Sequence, residues 1–207
     1  VPQILAVQSE KPVRQLRFTF PMPGLLEAYR TKPLNYIGNI LGHEGQGSLL
    51  SILKQAGWAE GLSTGAGVNY KGGAILQINI SLTDAGVVDI KKVSDEVFYA
   101  INYLRQQHQE RPGETLKLFL EQRQLAAMAF RFYQAGDEKS SAIRAASNLH
   151  FYPHQSAIYG DYDYSEYRSD IIADRLARMR ADNVLITLLA PQLPEAYQPQ
   201  QLSPWLE

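Results

Sequence analysis

The four histidines are the side chains best suited to metal chemistry in this sequence, and their spacing argues against a metal site. They are His43, His108, His150 and His154. A helical zinc site needs two ligands one turn apart, as in His-Glu-x-x-His or the inverted His-x-x-Glu-His. His43-Glu44 begins like the first motif, but the residue four positions after the histidine is glycine. His150 and His154 have the four-residue spacing, yet Pro153 disfavours a helix between them. We therefore predict packing or capping roles for the histidines and no metal ligand in this chain.

Patterns for nucleophilic catalysis and phosphate binding are also incomplete. Gly47-Ser48-Leu49 lacks the second glycine of the Gly-x-Ser-x-Gly nucleophile turn. The glycine-rich residues 42–47 precede a predicted helix, but no Lys-Ser/Thr pair follows them, as a phosphate-binding loop requires.

The segment from Trp58 to Tyr70 is rich in Gly, Ser, Thr and Ala. Small residues on a strand leave its backbone accessible, so another chain can add to it as a further strand. The residues alone therefore hint at peptide binding. The alternative is an ordinary edge strand beside a tight helix–helix turn.

Hydrophobic periodicity predicts the elements that position this segment. Residues 13–20 and 74–83 alternate between apolar and polar side chains, as half-buried strands do. Lys71-Gly72-Gly73 joins the second of these to the small-residue strand as a hairpin, and residues 183–189 form the last predicted strand. Pro21 and Pro23 are predicted to end the first of these strands. Ser48 is predicted to cap a helix from Leu49 to Ala56, and Thr83 to cap a long helix. Further helices are predicted after Pro33, after Gly113, from Ser140 to Leu149, and from Ser169 to Met179. The pattern predicts an α+β fold, a mostly antiparallel sheet with long helices packed on one face.

Composition excludes several classes of function. The 207 residues carry 20 Lys+Arg and 21 Asp+Glu, giving a net charge of −1 and no basic run for nucleic acid. No apolar run approaches the roughly 18 residues that span a bilayer, so no membrane partner is expected. The chain has no cysteine, which leaves its compartment open. Because it starts without Met and lacks a signal-peptide pattern, we expect an excised piece of a longer protein.

One family shares the glycine-rich segment. Residues 36–50, Tyr-Ile-Gly-Asn-Ile-Leu-Gly-His-Glu-Gly-Gln-Gly-Ser-Leu-Leu, followed by Gly57-Trp58, resemble the second domain of insulinase/pitrilysin zinc metallopeptidases. Further segments resemble the same domain and occur in the same order: Phe18 to Pro23, Ala129 to Phe132, Leu149 to Pro153, and Asn183-Val184. The resemblance covers the chain from about Val13 to Ala190. It divides the sequence into an N-terminal linker (1–12), the insulinase-type second domain (13–191) and a tail leading to the next domain (192–207).

The resemblance implies a non-catalytic domain of a larger enzyme. In the family, the inverted zinc motif lies in the first domain, so no cofactor is expected in this chain and zinc is expected in the parent's first domain. The second domain holds an exosite that anchors the substrate's N-terminal end by strand pairing. The exosite positions correspond here to Gly42, Glu44, Leu62, Thr64, Gly38, Asn35 and Asn39.

Three of these positions depart from the family pattern, which has histidines at 35 and 39 and glycine at 64. Backbone pairing at Leu62 and Thr64 does not depend on those side chains, whereas preference for the peptide's N-terminus does. Glu44 is the natural partner for a positive α-amino group.

The resulting hypothesis is a peptide-binding exosite domain of an insulinase-like zinc metalloendopeptidase. Its expected partners are a peptide substrate and neighbouring domains of the same parent chain. The alternatives are a purely structural chamber domain in a proteolytically inactive homologue and, third, an autonomous zinc hydrolase. Pitrilysin-like relatives imply a periplasmic location, with the cytoplasm as the alternative.

Overall fold

Five strands form one sheet in the computed structural model, which describes residues 3–70, 72–133 and 137–198. The strands are β1 (Gln3–Gln8), β2 (Gln15–Met22), β3 (Ala59–Tyr70), β4 (Gly73–Leu82) and β5 (Leu185–Ala190). Their order across the sheet is β1-β5-β2-β4-β3. Only the β1–β5 pair is parallel, so the predicted, mostly antiparallel sheet is confirmed.

One face of the sheet is apolar and the other polar. Leu16, Phe18 and Phe20 of β2 are fully buried. They lie opposite buried apolar residues of β4. On the other face, Arg17 Nε donates a hydrogen bond to Asn79 Oδ1 at 2.7 Å. The period-two alternation of the sequence therefore sets which face the helices cover.

In the part of the chain that the structure describes, seven α-helices accompany the sheet. They are α1 (Pro33–Leu41), α2 (Leu49–Gln55), α3 (Asp84–Val88), α4 (Ile90–Glu110), α5 (Pro112–Arg131), α6 (Glu138–Asn148) and α7 (Ser169–Arg178). Ser48 caps α2 as predicted, because its Oγ accepts a hydrogen bond from the Ser51 N–H at 3.2 Å. Gly57 follows that helix with a φ of +73°, the left-handed conformation of a C-terminal glycine stop.

The long helix α4 supplies one side of the core. Val93, Val97 and Ile101 are fully buried on a single stripe. They belong to the same apolar cluster as the buried face of β2 and β4 and as α7, through Ile172 and Leu176. Helices packed on one face of an antiparallel sheet form the predicted α+β layer.

The structure differs from the sequence prediction at three places. Gln3–Gln8, inside the predicted linker 1–12, form β1 and pair with β5, so the folded unit extends to residue 3. β2 continues through Pro21 to Met22 instead of stopping, because a proline removes only its own N–H from the ladder. Thr83 caps the short α3, and the long helix begins at Ile90.

Some predictions fall outside the described residues, namely Lys71 in the hairpin connection and the tail beyond residue 198. Within the described ranges, none of the helices combines the length and the apolar character that crossing a bilayer requires.

Candidate functional site

Strand β3 lies at one edge of the sheet. In the residues that the structure describes, it pairs with β4 and with no other strand. Its other edge therefore presents backbone N–H and C=O groups that no strand of this part of the chain takes up. Natural edges are often protected by charges or prolines, whereas residues 61–67 of β3 read Gly-Leu-Ser-Thr-Gly-Ala-Gly. The small-residue segment singled out by the sequence is thus an accessible sheet edge.

Helix α1 packs closely against this strand. A Cβ placed on Gly38 would lie 3.2 Å from Thr64 Oγ1 and 3.6 Å from the Cα of Gly65. A Cβ on Gly42 would lie 2.9 Å from the same hydroxyl oxygen. Glycine at both positions therefore allows the helix backbone to approach β3.

Thr64 fills the space between the helix and the strand. Its hydroxyl donates a hydrogen bond to the Gly38 carbonyl. This hydrogen bond involves the Thr64 hydroxyl and not the backbone N–H or C=O of Thr64. The departure from the family's glycine is therefore compatible with backbone pairing at the edge.

The two asparagines of α1 have different surroundings. Both are exposed. Asn39 Nδ2 donates to Gln122 Oε1 on α5, which holds this amide against the neighbouring helix. Asn35 instead lines a cavity that also includes Ala66 of β3. Of the two, Asn35 is the one placed beside the strand.

Glu44 lies in the connection between α1 and α2. It is exposed and forms no ion pair within residues 3–70, 72–133 and 137–198. The adjacent turn is fixed by the Gly45 N–H, which donates to His43 Nδ1 at 3.0 Å. A carboxylate at the end of α1 is thus available to a cationic group.

The structure brings most of the predicted site residues to one place. Gly38, Gly42 and Thr64 are in contact, and Leu62 shares the core-facing side of β3 with Thr64 because side chains two residues apart lie on the same face. Asn35 lies along the same helix, while Asn39 turns to α5. Sequence reasoning missed Ala66, whose only signal was its two-residue spacing from Thr64.

No metal centre is found in the described part of the chain. No group of three or more His, Cys, Asp or Glu side chains there is placed to hold a metal ion. His108 is buried, with its Nε2 3.0 Å from the Ser169 carbonyl oxygen. That contact gives it a packing role between α4 and α7.

Comparison with known proteins identifies the family. Residues 2–112 match the family model described as the peptidase M16 inactive domain, and residues 130–207 match the middle or third domain of the same peptidases. The chain belongs to the insulinase, or M16, peptidase family. A nardilysin-like protein of Arabidopsis thaliana is 32% identical over 207 residues, which cover 98% of this chain and 20% of that protein.

Two further relatives support the same placement. Human insulin-degrading enzyme is 32% identical over 188 residues, covering 91% of this chain and 18% of the enzyme. The crystal structure of pitrilysin has the same fold, with a TM-score of 0.82 at 22% identity over 92% of this chain and 20% of that one. The chain therefore spans about a fifth of the length of these insulinase-family relatives and is homologous to their inactive domain.

Proposed function

We propose that this chain is a non-catalytic exosite domain that anchors a peptide by strand addition to the free edge of β3. The observation that carries the proposal is the unpaired edge of a glycine-rich strand beside the glycine face of α1. An incoming peptide would exchange backbone hydrogen bonds with residues 61–67. Peptide-bond cleavage, and the zinc it requires, are assigned to the first domain of a longer parent protein.

Strand addition suits this edge because a peptide bound in this way is recognised mainly through hydrogen bonds between backbone atoms. Every second residue of an edge strand turns its N–H and C=O outward. Side chains as small as those of Ser63 and Gly65 do not shield these groups. Glu44 adds a charge for the peptide's α-amino group, although solvent screening keeps an exposed ion pair to at most about 1 kcal/mol.

The domain's contribution to catalysis would be positional. A peptide held at its N-terminal end has already lost part of its translational and rotational freedom. Its reacting bond is therefore present at a higher effective concentration at the zinc domain. The neighbouring domains of the parent chain are the partners that this role requires.

Amide hydrogen exchange on the 207-residue chain tests the proposal directly. A ten-residue peptide with a free N-terminus is expected to slow exchange in residues 61–67, because strand addition engages those amides. Saturating peptide is compared with no peptide, and α6 serves as the internal reference. Protection that appears only outside β3 would remove this assignment.

N-methylated peptides give a sharper version of the test. Methylating the backbone nitrogens of residues 2 and 4 removes one outward row of N–H groups, and methylating residues 3 and 5 removes the other. Only one row faces β3 in an added strand, so one peptide is expected to lose roughly tenfold or more in affinity and the other little. Equal losses for both peptides would argue against strand pairing.

A second candidate is a purely structural chamber domain. Helix α5 exposes Leu118, Leu125 and Met128 to between 38% and 54%, an apolar surface suited to contact with another domain. Sequencing the parent gene upstream of Val1 separates the two, since an intact His-x-x-Glu-His motif supports an active enzyme and its loss supports the structural role. The periplasmic location stays a prediction, which cell fractionation with the full-length parent can check.

A further inference from the structure

A cavity of about 270 Å³ lies beside the later part of β3. Ala66 of β3 and Asn35 of α1 form its wall on the side of the sheet edge. The remaining wall combines apolar and aromatic side chains, among them Leu25, Tyr29 and Phe151, with the charged side chains of Lys32 and Asp161. The cavity is smaller than the roughly 300–1,000 Å³ of sites for drug-sized ligands, so its size suits a single side chain.

The cavity lies beside the edge of β3 to which the peptide is proposed to add. Ala66 follows Thr64 by two residues and pairs with Leu76, as Thr64 pairs with Ile78, so both side chains lie on the core-facing side of β3. Asn35 is almost one helical turn before Gly38, the residue that touches Thr64. α1 thus runs beside β3, with its first turn near Ala66 and its end near Thr64.

Three of the polar side chains at the cavity, those of Lys32, Tyr152 and Asp161, already have hydrogen-bond partners within the fold. Lys32 Nζ donates to the Gly160 carbonyl at 2.7 Å. The Tyr152 hydroxyl donates to Asp161 Oδ1 at 3.0 Å.

The rings of Tyr29 and Tyr152 have centroids 5.3 Å apart. A cation lies over each ring, Arg30 over Tyr29 and Lys32 over Tyr152, which leaves the ring edges for contact with a third ring. Because the cavity already holds one cation, Lys32, and one anion, Asp161, an uncharged aromatic occupant is favoured over a charged one.

We propose that this cavity is a subsite for one aromatic side chain of the peptide strand added to β3. The inference rests on the proposed function and adds a sequence preference to it. Ala66 lies two residues after Thr64 and four after Leu62, or roughly 7 to 13 Å along the strand. Glu44 follows Gly42, where a Cβ would lie 2.9 Å from Thr64 Oγ1. A peptide whose α-amino group is held at Glu44 is therefore expected to place the selected side chain about two to four residues from its N-terminus.

A positional scan of a labelled host peptide tests the subsite. The probe is a ten-residue peptide of Ser, Thr, Ala and Gln with a free N-terminus and a C-terminal fluorophore, and a single Phe is moved from position 2 to 7. Anisotropy with the 207-residue chain is expected to show about tenfold tighter binding at one of the positions 2 to 4 than for the all-small host, because the ring is removed from water.

Two Ala→Phe variants form a matched pair. Ala66 is exposed and next to the cavity, whereas Ala127 is exposed on α5, outside the proposed peptide site. Ala66→Phe places a ring from the chain itself in the cavity, so the gain from the peptide's Phe is expected to disappear. Ala127→Phe makes the same change on α5 and is expected to keep the gain. Phe151→Ala, which removes part of the wall, is expected to reduce it several-fold.

The outcomes separate the two proposals. Equal affinity for every Phe position, with the all-small host still bound and residues 61–67 still protected, overturns the subsite and leaves strand addition in place. A gain that survives Ala66→Phe also overturns it. Absence of binding by all peptides, with no protection of β3, overturns the proposed function and the subsite together.

Discussion

Replacing Gly86 by alanine is expected to destabilise the chain by about 3 kcal/mol, the upper end of the usual range for overpacking a core. Gly86 is buried in α3. A Cβ at this position would overlap the Trp58 carbonyl oxygen and lie 2.9 Å from the carbonyl carbon. Because the obstacle is backbone, no side-chain rotation relieves it. Thermal unfolding followed by circular dichroism should show a melting temperature lower by roughly 10 °C.

Gly113→Ala is the matched control. Gly113 also lies in the first turn of a helix, α5, but nothing lies within 4 Å of the position its Cβ would take. Alanine there is expected to stabilise by about 0.5 kcal/mol, because it restricts the unfolded chain and favours the helix. A Gly86→Ala variant as stable as the Gly113→Ala variant would contradict the close approach of α3 to Trp58.

The Gly86 contact also bears on the proposed site. The Trp58 carbonyl accepts a hydrogen bond from the Thr83 N–H at 3.0 Å, and β3 begins at the next residue, Ala59. A shift of this carbonyl would displace the start of the edge strand. Folded Gly86→Ala protein is therefore expected to bind peptide more weakly than Gly113→Ala protein in the same anisotropy measurement.

Local signals in the sequence predicted most of the elements, because those signals act within a few residues. The alternation of residues 74–83 predicted β4, and Ser48 predicted the start of α2, since a cap depends on the next three residues alone. The resemblance assigned residues of α1 and of β3 to one exosite, and the structure shows that the two elements are in contact. By contrast, β1 was missed because its place in the sheet depends on β5, 182 residues later in the sequence.

The site could be predicted only in part, for the same reason. The residue-by-residue correspondence gave Gly38, Gly42 and Thr64, which the structure brings together. It did not give the cavity at Ala66, whose wall is built from α1, β3 and the segments around residues 25–29 and 151–161. No spacing rule in the sequence relates such distant segments. Asn39 and Asn35 are the same residue type one helical turn apart, and the structure distinguishes them: Asn39 contacts Gln122, whereas Asn35 lines the cavity beside Ala66.

Lys32 combines two unfavourable features at the start of α1. It is the only non-glycine residue with a positive φ, 44°, in the described ranges, a conformation that costs most side chains about 1–2 kcal/mol. Its side chain is also buried. Burial lowers the pKa of the Lys32 ammonium from 10.5 to about 8, although the Asp161 and Asp163 carboxylates favour its charged form. Its ammonium lies over the rings of Tyr152 and Tyr164.

The stability of the chain is therefore expected to rise by about 1.5 kcal/mol between pH 7 and pH 9.5. Below pH 8 the folded chain keeps a buried charge, whereas between pH 8 and 10.5 the unfolded chain binds the proton that folded Lys32 has released. More protons on the unfolded chain mean that stability increases with pH. Above about pH 10 the trend reverses, because burial raises the pKa of Tyr36 and Tyr152, and that of Tyr164 to about 12.

Urea unfolding at pH 7, 8, 9 and 9.5 measures this rise, and two variants test whether Lys32 causes it. Lys32→Met has no ammonium to neutralise, so its free energy of unfolding should not rise. It should instead fall by about 0.5 kcal/mol toward pH 9.5, because the tyrosines that are buried in the folded chain begin to ionise in the unfolded one. Lys91→Met removes an exposed lysine paired with Asp95, and it should retain the rise of the unmodified chain. A rise of the same size in Lys32→Met would show that another group titrates, and the buried ammonium of Lys32 would then not be the cause. A flat profile in all three proteins would mean that Lys32 keeps its ordinary pKa when folded, because water reaches its ammonium beside Gly160.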